Sequence, residues 1–170
     1  MAFPAQFDLS DLNGTNGFAI NGINVDEESG FSVSNAGDVN GDNIDDVIIG
    51  APDANAGKSY VVFGSSLGFN STFELSSLNG SNGFIINGIN PDEESGFSVS
   101  GGGDINGDGV KDLIIGAPES DANGTLTGES YVVFGSSSFS QSLDLSTLNG
   151  SNGFVINGID DGDRSGRSVS

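Results

Sequence analysis

Two stretches, GDVNGDNIDDVIIGAP at residues 37–52 and GDINGDGVKDLIIGAP at residues 103–118, read almost alike. Each holds an oxygen-rich turn that runs directly into a short apolar strand. Gly37 and Gly103 lie 66 residues apart. A second landmark keeps nearly the same period: FDLSDLNGTNGF starts at Phe7, FELSSLNGSNGF at Phe73 and LDLSTLNGSNGF at Leu143, with spacings of 66 and 70. The extra length falls at residues 119–129, between GAP and the second SYVVFG. SYVVFG begins at Ser59 and Ser130. SGFSVS begins at Ser29 and Ser95, and returns as SGRSVS at Ser165. A period of this size marks a propeller, a solenoid or an array of stacked units.

One period holds four expected strands. Residues 30–35 alternate Phe31 and Val33 with Ser32 and Ser34. Residues 46–50 contain the continuous run Val47, Ile48, Ile49, which predicts burial on both faces. Residues 59–63 are β-branched and aromatic, and residues 83–87 read GFIIN. Clusters of Gly, Asn, Asp and Ser separate them, as turn chemistry requires. Helical periodicity is absent; DLSSLNG is long enough for one helical turn only. The class is therefore all-β.

Composition narrows the function. The chain of 170 residues carries 24 acidic and 4 basic side chains, a formal charge of −20. Phosphate backbones are repelled by such a surface, which excludes nucleic-acid binding and disfavours anionic lipid. No apolar run is long enough for membrane insertion. Cysteine is absent, so there is neither a disulfide framework nor a thiol redox site. Histidine is absent too. With no Cys nucleophile and no base beside the turn serines, the sequence offers no catalytic constellation.

The acidic turns point to a hard cation. The first presents Asp38, Asn40, Asp42 and Asp46, with the Ile44 carbonyl at its seventh position. The second presents Asp104, Asn106, Asp108 and Asp112, with the Val110 carbonyl. Alternate positions in a tight loop let side-chain oxygens converge, as calcium wants with its six to eight oxygen ligands. Gly109 at the sixth position permits a sharp turn; Asn43 holds that place in the first loop and tolerates positive φ better than most residues. An EF-hand is excluded, because the twelfth position is Ile49 or Ile115 and a strand follows. Magnesium seldom uses an all-protein cage, and zinc lacks its His and Cys ligands. A second acidic cluster, DEES at Asp26 and Asp92 with GDRS in the third copy, reads as a solvated loop, and Glu27 with Glu28 as surface charge.

Together, FSVSNAGDVNGDNIDDVIIGAP and FSVSGGGDINGDGVKDLIIGAP resemble the FG-GAP repeat, the blade unit of the integrin α-chain β-propeller. The likeness runs through Phe31, Gly37, the Asp38 loop and Gly50-Ala51-Pro52, and through Phe97, Gly103, the Asp104 loop and Gly116-Ala117-Pro118. One departure is a Ser after the Phe of the "FG" element. The resemblance implies tandem four-stranded antiparallel blades, with calcium bound between the first two strands of each. It makes the ten loop residues named above the ligands. The longer NGFxINGxxxxxxSGxSVS spacing is similar to large acidic surface proteins of bacteria that string such units together.

On this frame residues 1–29 are a linker and the last strand of a preceding blade (18–23), 30–95 the first repeat, 96–165 the second, and 166–170 the start of a third. That is an incomplete ring. The expectation is a piece of a longer chain, or copies that associate to complete a ring or stack. The expected function is a non-catalytic, calcium-binding module of a secreted or cell-surface protein, serving adhesion or scaffolding. The alternative is a protein- or glycan-recognition accessory module of a larger secreted enzyme. Residues 119–129 are the first place to look for such a ligand, since loops carry function. Asn13, Asn79, Asn123 and Asn149 match glycosylation sequons but are read as turns, three of them at one repeat position.

Overall fold

A computed structural model describes residues 6–170. The chain is all-β apart from three single turns of 3-10 helix at Leu9–Asp11, Leu75–Ser77 and Leu145–Thr147, the places where DLSSLNG-type sequence allowed one turn. In order the strands are β1 (Ala19–Asn21), β2 (Ser32–Gly37), β3 (Asp46–Ala51), β4 (Lys58–Val62), β5 (Thr72–Glu74), β6 (Gly83–Asn87), β7 (Ser98–Gly103), β8 (Asp112–Ala117), β9 (Glu129–Val133), β10 (Ser142–Asp144) and β11 (Gly153–Asn157).

Two antiparallel meanders form the blades. The first runs β2-β3-β4-β6 and the second β7-β8-β9-β11. The four-stranded expectation holds, with one addition. The short β10 lies parallel against β6 and makes the first blade five-stranded, and β5 lies parallel against β1 in the same way. The next repeat thus lends a strand to the outer edge of the blade before it. The inner strands begin two residues later than expected, because the amide of Phe31 closes a turn onto the Glu28 carbonyl. Both β2 and β7 carry a bulge, at 35–37 and 101–103. Gly37 and Gly103 sit there at φ +69° and +76°, a region open to glycine.

The blades stack face to face. Ile48, Val61, Phe84 and Ile86 of the first pack on Leu113, Ile115, Tyr131 and Val133 of the second, all buried. The opposite face of the first blade, with Ile49, Tyr60 and Val62, packs on Leu75, Leu78 and Ile20. The continuous apolar run in β3 is thereby used on both faces. Close approach explains the glycine of each GAP. A Cβ on Gly50 would lie 2.0 Å from the Gly96 carbonyl oxygen, and one on Gly116 would lie 1.9 Å from that of Gly166. The same carbonyls accept hydrogen bonds from Ser32 (2.9 Å) and Ser98 (2.8 Å), so each SG turn is clipped to the inner strand of the preceding blade.

The alternation in the first inner strand does not bury its apolar side. Phe31 is 50% and Val33 60% exposed, whereas Val99 at the equivalent place of β7 is 7% exposed. The reason is position: β7 has β2 beside it, and no strand of the described residues covers the far side of β2.

Candidate metal centre

Each acidic loop is an Asx-rich turn held by its own carboxylates. Asp38 Oδ1 accepts the amides of Gly41 (2.7 Å) and Asp42 (3.0 Å), and its Oδ2 accepts that of Asn43 (2.7 Å). Asn40 Oδ1 accepts Asp42 N–H, and Asp42 Oδ1 accepts Ile44 N–H, both at 2.8 Å. The second loop repeats this frame atom for atom. Asp104 takes the amides of Gly107, Asp108 and Gly109; Asn106 takes that of Asp108, and Asp108 that of Val110. Asn43 adopts φ +68° and Gly109 φ +92°, as the sixth position of such a loop demands.

The fourth side chain of each set does a different job. Asp46 is buried at the start of β3. Its Oδ2 accepts Val39 N–H (2.9 Å) and its Oδ1 accepts Gly64 N–H (2.8 Å), which ties the loop to the segment after β4. Asp112 does the same with Ile105 and Gly135. Burial raises the Asp46 carboxyl to about 6; the two amides oppose that rise, and the charges of Asp42 and Asp38 add to it. A carboxylate crowded by two others is an environment that a cation relieves.

The structure therefore brings Asp38, Asn40, Asp42 and Asp46 into one loop, and Asp104, Asn106, Asp108 and Asp112 into the other. Among the described residues no three carboxylates stand close enough together to form a finished cage. Their oxygens face the loop amides. The donor set fits a hard cation: Asp and Asn oxygens only, and, among the described residues, Ile44 and Val110 carbonyls that accept no hydrogen bond.

A second polar cluster corrects the sequence reading. Glu27 is not surface charge but 7% exposed, and Glu93 is 5% exposed. Glu27 accepts hydrogen bonds from Lys58 Nζ (3.2 Å), Tyr60 Oη (3.1 Å) and Asn24 Nδ2 (2.7 Å). Burial pushes its carboxyl up, but the bonds from Asn24 and Lys58, the lysine charge and the Tyr60 hydroxyl outweigh that and hold it below the ordinary value. The sequence signal was present in Lys58 and Tyr60 of the KSY strand, but only the fold brings Glu27 to them. Asp26 and Asp92 themselves are exposed, as expected of a solvated loop.

Residues 119–129 fold back on the turn at 158–165. Leu126 N–H bonds Asp121 Oδ1 (2.6 Å), Thr125 N–H bonds Asp161 Oδ1 (3.0 Å), and Arg164 pairs with Glu119 at 3.2 Å. Three sequon asparagines are Asx turns: Asn13, Asn79 and Asn149 each accept the amide two residues on.

Known proteins carry the same unit. The family model for the FG-GAP repeat matches residues 29–62 and 95–133. The chain is similar to integrin alpha pat-2 of Caenorhabditis elegans (37% identical over 93 residues) and to integrin alpha-M of Mus musculus (39% over 93 residues); each match takes 52% of this chain and 7% of the relative. It is also similar to the phosphatidylinositol-glycan-specific phospholipase D of Bos taurus, 34% identical over 114 residues, 63% of this chain and 13% of that protein. The chain thus spans only a small part of the curated relatives it matches. No helix among the described residues is long and apolar enough to cross a membrane.

Proposed function

From a chain built of two FG-GAP repeats stacked as β-propeller blades, we propose a non-catalytic calcium-binding module of a secreted or cell-surface protein, serving adhesion or scaffolding. The observation that carries the reading is the duplication of one hydrogen-bonded loop frame, with the same Asp-Asn-Asp spacing, at the entry to β3 and β8. Asp38, Asn40, Asp42 and Asp46 with the Ile44 carbonyl hold one ion; Asp104, Asn106, Asp108 and Asp112 with the Val110 carbonyl hold the other. The bound ion supplies positive charge to crowded carboxylates and pins the turn between the first two strands of each blade.

For an affinity of about 10⁻⁴ to 10⁻³ M and free calcium near 1 mM, each site adds roughly 0.4 to 1.4 kcal/mol. The test is thermal unfolding with calcium and with EDTA. Calcium raises Tm, and Asp42→Ala with Asp108→Ala removes most of that rise. An identical Tm in both conditions overturns the reading. The partners are further repeats of the same kind, on this chain or on other copies, and a protein or glycan ligand. The likeness to a phospholipase D supports a second reading, an accessory recognition module of a larger secreted enzyme. A binding screen against immobilised glycans, with and without calcium, separates the two.

A further inference from the structure

The two acidic loops meet on the seam between the blades, and one peptide group belongs to both. Val110 and Lys111 share that group. Its carbonyl is in the donor set of the second loop and, among the described residues, accepts no hydrogen bond. Its N–H, on Lys111, donates to the Asp38 carbonyl of the first loop at 3.0 Å. Asp38 in turn shares a peptide group with Val39, whose N–H donates to Asp46 Oδ2 at 2.9 Å. Two peptide groups in line thus run from a carbonyl of one donor set to a carboxylate of the other.

The Val110–Lys111 pair is fixed against the first loop from other sides too. A Cβ built on Gly37 would lie 2.7 Å from Lys111 Cγ, so the lysine stem covers the backbone just ahead of Asp38. One built on Gly41 would lie 4.0 Å from Val110 Cγ2. A second backbone link runs beside the first. Ser136 N–H donates to the Val39 carbonyl (3.0 Å), and its neighbour Gly135 donates to Asp112 Oδ1 (2.9 Å).

We propose that the two cation sites are coupled through the Val110–Lys111 peptide, so that calcium at one raises the affinity of the other. The proposal rests on the calcium reading and concerns only how the two sites answer each other. The physical reason is shared ordering. The plane of this peptide is held from the first loop, by the bond to Asp38, and the same plane directs the Val110 carbonyl of the second. Filling either loop fixes the shared peptide, so the second ion meets backbone that is already ordered. Repulsion between the two ions works against the coupling, but salt screens it.

The test is calcium titration of the full chain by NMR in about 0.5 M KCl, where the screening length is about 4 Å. The Gly41 and Gly107 amides, which bond Asp38 Oδ1 and Asp104 Oδ1, report the loops separately. Asp42→Asn weakens the first site, and the midpoint read at Gly107 is expected to rise at least about fivefold. Asp108→Asn raises the midpoint at Gly41 by the same factor, since coupling is reciprocal. Lys111→Pro removes the N–H and leaves every donor oxygen in the chain; in that background both cross-effects fall below about twofold. If Lys111→Pro does not fold by circular dichroism, amide exchange takes its place. In Asp108→Asn, calcium in the first loop then slows exchange at Lys111, a residue of the other loop. Midpoints indifferent to the other loop, cross-effects that persist in Lys111→Pro, or a Lys111 amide that exchanges equally fast with and without calcium overturn the coupling and leave the calcium reading standing. Gly41 and Gly107 amides that ignore calcium altogether overturn both.

Discussion

The two blades agree where the loops are and disagree where Lys58 stands. In the loops, equivalent bonds match to within a few tenths of an ångström: Asp38 and Asp104 accept the same three amides, and Asp46 and Asp112 buttress the same two neighbours. Two strands later the charge reverses. In the first blade Lys58 neutralises the buried Glu27. In the second, Glu129 occupies the lysine's place and is itself 6% exposed, accepting from Ser120 (2.8 Å) and Tyr131, while the equivalent Glu93 turns to Asn90. Burial pushes both tyrosines well above the ordinary phenol range, and each carboxylate beside them adds to the rise. The loop frame is the shared device, and the polar knot behind it is free to vary as long as each buried carboxylate has donors.

Breaking the shared part is expected to cost most. Asp46→Ala and Asp112→Ala each leave two amides without their acceptor beside a buried strand start, a loss of about 2–4 kcal/mol with or without calcium. Asp42→Ala spares those amides and is expected to matter chiefly when calcium is present. Urea unfolding of the variants, each with calcium and with EDTA, checks this. Equal losses for Asp46→Ala and Asp42→Ala in EDTA contradict the buttressing role that Asp46 has in addition to its place in the donor set.

The divergent part can be sharpened. Glu129→Lys sets a lysine beside Glu93, as in the first blade, and frees Tyr131 to donate to that carboxylate as Tyr60 does to Glu27. A gain of about 1 kcal/mol, a rise of about 2–4 °C in Tm, is expected for a half-buried pair. A fall in Tm shows that the Ser120 and Tyr131 bonds to Glu129 are the stronger set.

Acid separates the blades by a smaller effect. The Glu27 carboxyl is held below its ordinary value in the folded chain. Its contribution is therefore complete above the unfolded value near 4.5 and is lost as pH falls through the lower folded value. Stability measured from pH 6 downward is expected to decline less steeply for Glu27→Gln than for the wild type. Parallel declines contradict the assigned hydrogen bonds.

The sequence made the loops and the long apolar strands legible because both are local. Val47 to Ile49 signal a strand whatever surrounds them, and the Asp38 turn closes within eight residues. What it hid depends on contacts between distant segments. β5 and β10 are three residues long, too short for their alternation to signal a strand, and become strands only because β1 and β6 offer an edge. Glu27 looks solvated beside Glu28 until the fold delivers Lys58 and Tyr60 from 31 and 33 positions away. Val33 and Val99 share one motif, yet only the one with an inner-strand neighbour is covered.

The smallest expected effect tests the sixth position, one of four at which the two loops differ in residue type. Asn43 and Gly109 occupy the same sixth position, both at positive φ. Asparagine pays a steric penalty there that glycine does not, but glycine loses more backbone freedom on folding. The two terms nearly cancel, so Asn43→Gly and Gly109→Asn are each expected to shift stability by less than about 0.5 kcal/mol, with calcium affinity unchanged, since neither side chain is a ligand. Gly109→Val has no such compensation: a β-branched residue at φ +92° strains the turn, and a loss of about 1–2 kcal/mol in unfolding experiments is expected. A Val variant as stable as the Asn variant would mean that this loop relaxes to negative φ at no cost, and that its frame is softer than that of its twin.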